Sequence, residues 1–137
     1  LVIALGRTRD PEALEPILGI VAQLDAESEF SHHRAVAMAL ETLRDPRAAK
    51  PLADLLRKPG LSGHAVTDID DARKDMPPSG TDTTTRNQAL TELVLARALY
   101  RCGDDDGLGT RILRQYARDL HGHYARHATA ILAEGNQ

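Results

Sequence analysis

Apolar residues recur three and four positions apart along most of the chain. Leu14, Ile17, Leu18, Val21 and Leu24 keep that spacing, as do Ala48, Leu52, Leu55 and Leu56, and then Leu113, Tyr116, Ala117 and Leu120. Val36, Leu40 and Leu43 form a further stripe, repeated by Leu95, Leu99 and Cys102. This spacing puts one apolar stripe along each of a series of helices and leaves the opposite face polar. Leu1–Gly6 reads as the back half of an apolar helix closing at Gly6, and 128–135 as a helix that has just ended. We therefore expect an internal or C-terminal piece of a longer protein. With neither an initiator methionine nor a cationic leader to read, the compartment stays unknown, a soluble cytoplasmic location being the default.

Laid on itself, the chain repeats. Leu5-Gly6-Arg7-Thr8-Arg9-Asp10-Pro11-Glu12-Ala13 falls on Leu40-Glu41-Thr42-Leu43-Arg44-Asp45-Pro46-Arg47-Ala48 at an offset of 35, the distance from Asp10 to Asp45. Pro16 and Pro51 each follow their Asp-Pro proline by five residues. Each segment is an apolar helix, an Asp-Pro turn and a second apolar helix. The aspartate can cap the free amides of the second helix, and proline at its first position gives up no hydrogen bond. A third copy surrounds Leu99-Tyr100-Arg101-Cys102-Gly103-Asp104 and continues through 108–120, and a fourth begins near His123. One unit cannot bury both of its stripes, whereas stacked units bury a continuous core. The expected fold is all-α, an α–α superhelix of about three and a half helix pairs in a single domain over 1–137. Its units lie at about 1–24, 31–57, 86–120 and 123–135, with one long insertion loop at 58–84.

The pattern Leu-Gly-x-x-x-Asp-Pro-x-Ala-x-x-x-Ile/Leu resembles the short HEAT-like repeat, the variety also found in bilin lyases, over 1–57 and 86–135. Tetratricopeptide repeats share a similar period, but their Trp, Gly-Tyr and Phe positions are missing here, as is the Thr-Pro-Leu-His of ankyrin. The HEAT-like resemblance implies a non-catalytic solenoid scaffold whose second helices line a concave face. Its partner would be another domain of the same chain or a separate protein. A narrower resemblance rests on Ser31-His32-His33-Arg34-Ala35, Pro59-Gly60-Leu61-Ser62-Gly63-His64-Ala65, Leu95–Asp104 and Tyr116–His127. These strings are similar to a helical segment of bacterial proteins labelled FAD-dependent oxidoreductases. That resemblance implies an accessory C-terminal domain whose flavin, FAD, is held upstream, so no cofactor-binding residue is assigned in this segment.

Composition narrows the function classes. The formal charge of −3, from 17 basic and 20 acidic residues, gives no reason to expect nucleic acid or an anionic membrane as partner. No apolar run approaches the ~18 residues of a membrane span. The single cysteine, Cys102, excludes an internal disulfide framework and a multi-cysteine zinc module. Alanine and leucine supply 39 of the 137 residues, the composition of packed helices.

Few residues point to chemistry, and none carries a catalytic signature. His121-x-His123-x-x-x-His127 puts 123 and 127 one helical turn apart, the spacing of paired imidazole ligands. A metal-based hydrolase or hydroxylase would build on this group, yet Asp119 is the one nearby carboxylate and no His-Glu dipeptide exists. The alternative is packing, since His127 falls on the inward register of Val36 and Leu95. His32 and His33 follow Ser31, read as an N-cap with Phe30 as its staple, and offer either a bond to a neighbouring turn or a recognition edge. In the repeat register His32 matches His123 and His33 matches Tyr124, so two units would present polar rings at equivalent heights along one rim of the solenoid.

The insertion carries glycines and prolines (Gly60, Gly63, Pro77, Pro78, Gly80) with acids at Asp68, Asp70, Asp71, Asp75 and Asp82. It lacks the alternating ligands of an EF-hand and reads as a solvated acidic loop. Within it Leu61-Ser62-Gly63-His64 is an ordered stub, which makes His64 a partner-contact candidate. Arg111, Arg114 and Arg118 recur at i, i+3 and i+7 opposite their apolar stripe, either as a solubilising face or facing an anionic partner. Gly103 reads as a helix C-cap, Asp104–Asp106 as capping for the next helix, and Cys102 as a small buried side chain rather than a nucleophile.

Overall fold

The computed structural model describes residues 2–74 and 83–135, and every regular element among them is helical. Leu1, and the insertion's Asp75, Pro77, Pro78, Gly80 and Asp82, lie outside the described residues. In chain order the helices are α1 (Val2–Arg7), α2 (Leu14–Gln23), α3 (Phe30–Leu43), α4 (Ala49–Leu56), α5 (Ile69–Lys74), α6 (Thr83–Arg101), α7 (Leu108–Tyr116) and α8 (Gly122–Glu134).

The Asp-Pro corners form as their chemistry dictates. Asp10 Oδ1 accepts from the Glu12 amide at 3.0 Å, and Asp45 Oδ1 from the Arg47 amide at 2.9 Å. In both, proline opens a short 3-10 turn (Pro11–Ala13 and Pro46–Ala48) that runs directly into α2 or α4. The residue before each aspartate, Arg9 (φ 53°) and Arg44 (φ 50°), takes the left-handed conformation that ends the preceding helix.

Successive first helices pack side by side, α1 on α3 and α3 on α6, while the second helices α2 and α4 pack on each other beneath them. Helix α7 packs on α6, and α8 rests mainly on α7 with a narrower strip against α6. The core between the rows holds Leu14, Ile17, Leu40, Leu52, Leu55, Leu56, Leu95, Leu99 and Leu113, all with essentially no exposed surface. At ~1.5–3 kcal/mol per buried aliphatic side chain, this shared interior is what holds the units in series. Cys102 is inside as well. Its thiol donates to the Leu40 carbonyl (3.4 Å), and burial pushes its pKa up to about 12, which leaves it inert.

Several boundaries differ from the sequence reading. Helix α1 runs through Gly6 to Arg7, and Gly6 is there for contact: a Cβ on it would stand 2.5 Å from Ala39 Cα of α3. Helix α3 starts at Phe30 with Glu29 at the cap position, so Ser31 is not the N-cap and its hydroxyl instead reaches the Glu29 carboxylate at 3.4 Å. The third second helix stops at Tyr116, which leaves Leu120 outside the helix and 47% exposed. The third unit begins at Thr83 rather than 86. Of the three aspartates after Gly103, Asp104 does the capping, accepting from the Gly109 and Thr110 amides and the Thr110 hydroxyl at 2.7–2.9 Å. Asp105 pairs with Arg57 instead. The insertion is not a plain acidic loop. It contains α5, with Asp70 and Asp71 in its first turn, where carboxylates offset the helix dipole.

Candidate functional site

Two buried carboxylates strap the first part of the insertion across the third unit. Glu92 sits on α6 between Ala89 and Leu95, on the inward face, with no exposed surface. Its oxygens accept from the Gly63 amide at 2.6 Å, the His64 amide at 3.0 Å and the Tyr116 hydroxyl at 2.7 Å. Gly63, at φ +89°, supplies the left-handed turn of the strap there. Burial, followed by the charge of Glu92, pushes the Tyr116 pKa far above its ordinary value, so the phenol remains a donor. Asp119, after α7, accepts from the Val66 amide at 2.8 Å and from both the amide and Nδ1 of His121 at 2.7 Å. The Leu120 amide closes the clasp by donating to the Val66 carbonyl at 2.9 Å. Leu61 plugs into the core, and His64 Nε2 bonds back to the Gly60 carbonyl at 2.8 Å. The sequence reading nominated the 61–64 stub but passed over Glu92. The available signal was an acid in an apolar register, because a buried carboxylate requires donors to satisfy it.

The strap delivers Thr67 to the edge of α7. There Thr67, Arg111, Arg114, Gln115 and Arg118 line an open groove of about 600 Å³. All three arginines are exposed, while Ile112, Leu113 and Tyr116 on the other side of α7 are buried. No carboxylate lines the groove, and none of the three arginines has an ion pair among the described residues. On the preceding second helix, by contrast, Asp54 is flanked by Lys50 (3.1 Å) and Arg57 (3.6 Å).

The histidines do not converge. His32 is exposed and lines a shallow groove with Val2, Ile20, Leu24 and Val36. His33 is buried, its Nε2 2.9 Å from the Asp25 carbonyl, so it secures the α2–α3 turn. Since that carbonyl can only accept, Nε2 carries the proton. Nδ1 is left bare and without a partner among the described residues. Burial lowers the His33 pKa, consistent with a neutral ring. His121 and His123 are exposed and pack around Tyr124, their rings 6.1 Å apart. His127, half-buried, faces the other way and accepts from Arg97 at 3.1 Å; burial, then Arg97 and Arg101, lower its pKa. Among the described residues no three His, Cys, Asp or Glu side chains gather as a metal site. The repeat register places its residues consistently, with His32 and His123 outside and His33 and Tyr124 inside.

A second polar feature, absent from the sequence reading, ties the first helices together. Arg97 grips Glu41 through two nitrogens at 2.8 Å, and Arg101 spans from Glu41 (3.1 Å) to Glu134 (2.8 Å), so α3, α6 and α8 share one charged ladder. The charges balance, and the ladder has the character of a staple rather than a docking surface.

Residues 33–58 match the family model of the PBS lyase HEAT-like repeat. Over that stretch the chain is similar to a HEAT-like repeat. The matched stretch takes in most of α3, the Asp45-Pro46 corner and all of α4, nearly the whole of one two-helix unit. No curated protein and no solved structure matches the chain. The strap and the arginine face lie beyond the matched residues. No helix among the described residues is long and apolar enough to cross a membrane.

Proposed function

We propose that this helical repeat scaffold works as a non-catalytic docking surface, binding a partner protein or another domain of its own chain through the outward face of its second helices. The observation that carries this reading is the third unit. Its second helix and the turn after it present three outward-facing arginines without acidic partners, and a strap clasped by buried carboxylates holds the neighbouring backbone in place. A surface kept only for solubility needs no such clasp, because a loop with no binding task is free to remain solvated. Preorganisation of this kind lowers the ordering cost of association.

Site-specific photo-crosslinking in the producing cell tests the reading. Benzoylphenylalanine placed at Glu15, Asp54 or Gln115, exposed on the second helices, should yield discrete adducts with one protein or domain. The same probe at exposed Arg34 or Thr129 on the first helices should yield few. Adducts spread evenly over both faces, or none on the second helices, would refute the assignment.

A further inference from the structure

We infer that the arginine stripe running along α7 and the turn after it, with the strap beside it, forms a groove for one kind of partner element: an acidic helix presenting carboxylates at i, i+3 and i+7. This rests on the scaffold reading above and specifies its partner. At 1.5 Å rise per residue, Arg111 and Arg114 on α7 are about 4.5 Å apart along the axis. Arg118 follows on the turn that continues the helix, its amide bonded to the Gln115 carbonyl at 3.1 Å, about 6–7 Å further on. A second helix laid alongside repeats these intervals on its own face, so each guanidinium meets one carboxylate in the fork geometry that arginine favours.

The same spacing argues against a single phosphate. The three arginines are spread over roughly 10 Å of backbone, a linear array rather than a cluster around one anion. It argues equally against a nucleic-acid track, because the neighbouring second helix interrupts the positive stripe with Asp54, and the chain as a whole is −3. Thr67 forms the groove's opposite edge, and the bond between Asp119 and the Val66 amide one residue earlier fixes its position. Asp119 is thus a positioning residue for the groove.

The test is an NMR titration of the chain with an alanine-based helical peptide carrying three glutamates in the i, i+3, i+7 pattern. Controls are the same peptide with glutamines, inorganic phosphate and a thymidine oligonucleotide. The Nε–Hε signals of Arg111, Arg114 and Arg118 and the amide of Thr67 should shift saturably with the glutamate peptide alone, and the shifts should diminish as salt rises. Arg114→Gln should weaken binding about threefold, on the scale of one exposed ion pair. Thr67→Glu, an exposed substitution that leaves the clasp untouched, should weaken it at least as much. Asp119→Asn should weaken it with all three arginines present.

Equal binding of the glutamine peptide, or tighter binding of phosphate or the oligonucleotide, would overturn the acidic-helix inference, as would the absence of any saturable shift. Unchanged affinity in Thr67→Glu and Asp119→Asn would remove the strap from the groove. If crosslinks from Glu15, Asp54 and Gln115 persist while the peptide fails, only the partner's chemistry is wrong. If both fail, the scaffold reading fails with it.

Discussion

The first two units and the third close their helix pairs by different means. At Asp10 and Asp45 the closing bond reaches two residues ahead, and proline sets the next helix at once. In the third unit Asp104, itself left-handed at φ 65°, reaches five and six residues ahead, and no proline follows it. That unit also relies on Glu92 and Asp119, whose partners lie 29 and 53 residues away in sequence. A local corner makes a repeat that can be stacked without reference to the rest of the chain. A long-range clasp makes a single specialised unit, and it occurs where the insertion and the arginine face meet.

The largest effect should fall on what both regions share. Leu55→Ala in the second unit and Leu99→Ala in the third remove fully buried side chains, and each should cost ~2–5 kcal/mol in denaturant unfolding. His64→Ala, in the half-exposed part of the strap, should cost far less. Equal losses at the three positions would show that the core is not continuous between units.

Glu92→Ala comes next and separates the regions most sharply. It strands two backbone amides, at ~1–3 kcal/mol for each group left without a partner, and leaves the Tyr116 hydroxyl only the Ala89 carbonyl at 3.3 Å. Hydrogen exchange should lose protection at Gly63 and His64 while α2 and α4 keep theirs. Uniform loss along the chain would mean that the clasp is part of the global core.

Asp45→Ala and Asp10→Ala should each cost about 1 kcal/mol, the usual price of a helix cap. Asp104→Ala should cost more than either, because four donors lose their acceptor at once. The three aspartates proving equal in thermal unfolding would erase the contrast between corners.

The smallest effect is a pH slope. Burial depresses the folded-state pKa of His33 and His127 below the usual imidazole value of 6.5. The unfolded chain therefore binds more protons than the folded one in the window just below 6.5. Stability is complete above that value and declines as the pH is lowered through it. His33→Gln should flatten part of the slope by removing the ring that must be buried neutral. A slope unchanged in His33→Gln, or one of opposite sign, would contradict the assignment.

What could be read along the chain was whatever repeats at short range. The Asp-Pro corners, the two sets of apolar stripes and the buried Cys102 are local or periodic, whereas the register that matched His33 to Tyr124 suggested rings on one rim, and both are buried. The expected cap at Ser31 failed because α3 begins two residues earlier than that cap implies, at Phe30 with Glu29 before it, and helix ends depend on packing as well as on cap chemistry. Leu120 failed for a similar reason. Its backbone is drawn out to bond Val66, which no helical periodicity encodes. Gly6 looked like a helix end, since glycine so often is one, but its actual role depends on how closely α3 approaches α1.

The amino-acid order alone determined that this protein is a stack of helix pairs, because a stripe every three to four residues with recurrent Asp-Pro corners has no other economical burial. Only the tertiary structure decided that Glu92 and Asp119 bind the insertion down and that Thr67 comes to rest beside the arginines of α7. Those contacts join residues far apart in the chain through backbone amides, which every residue but proline possesses, so no side-chain pattern announces them.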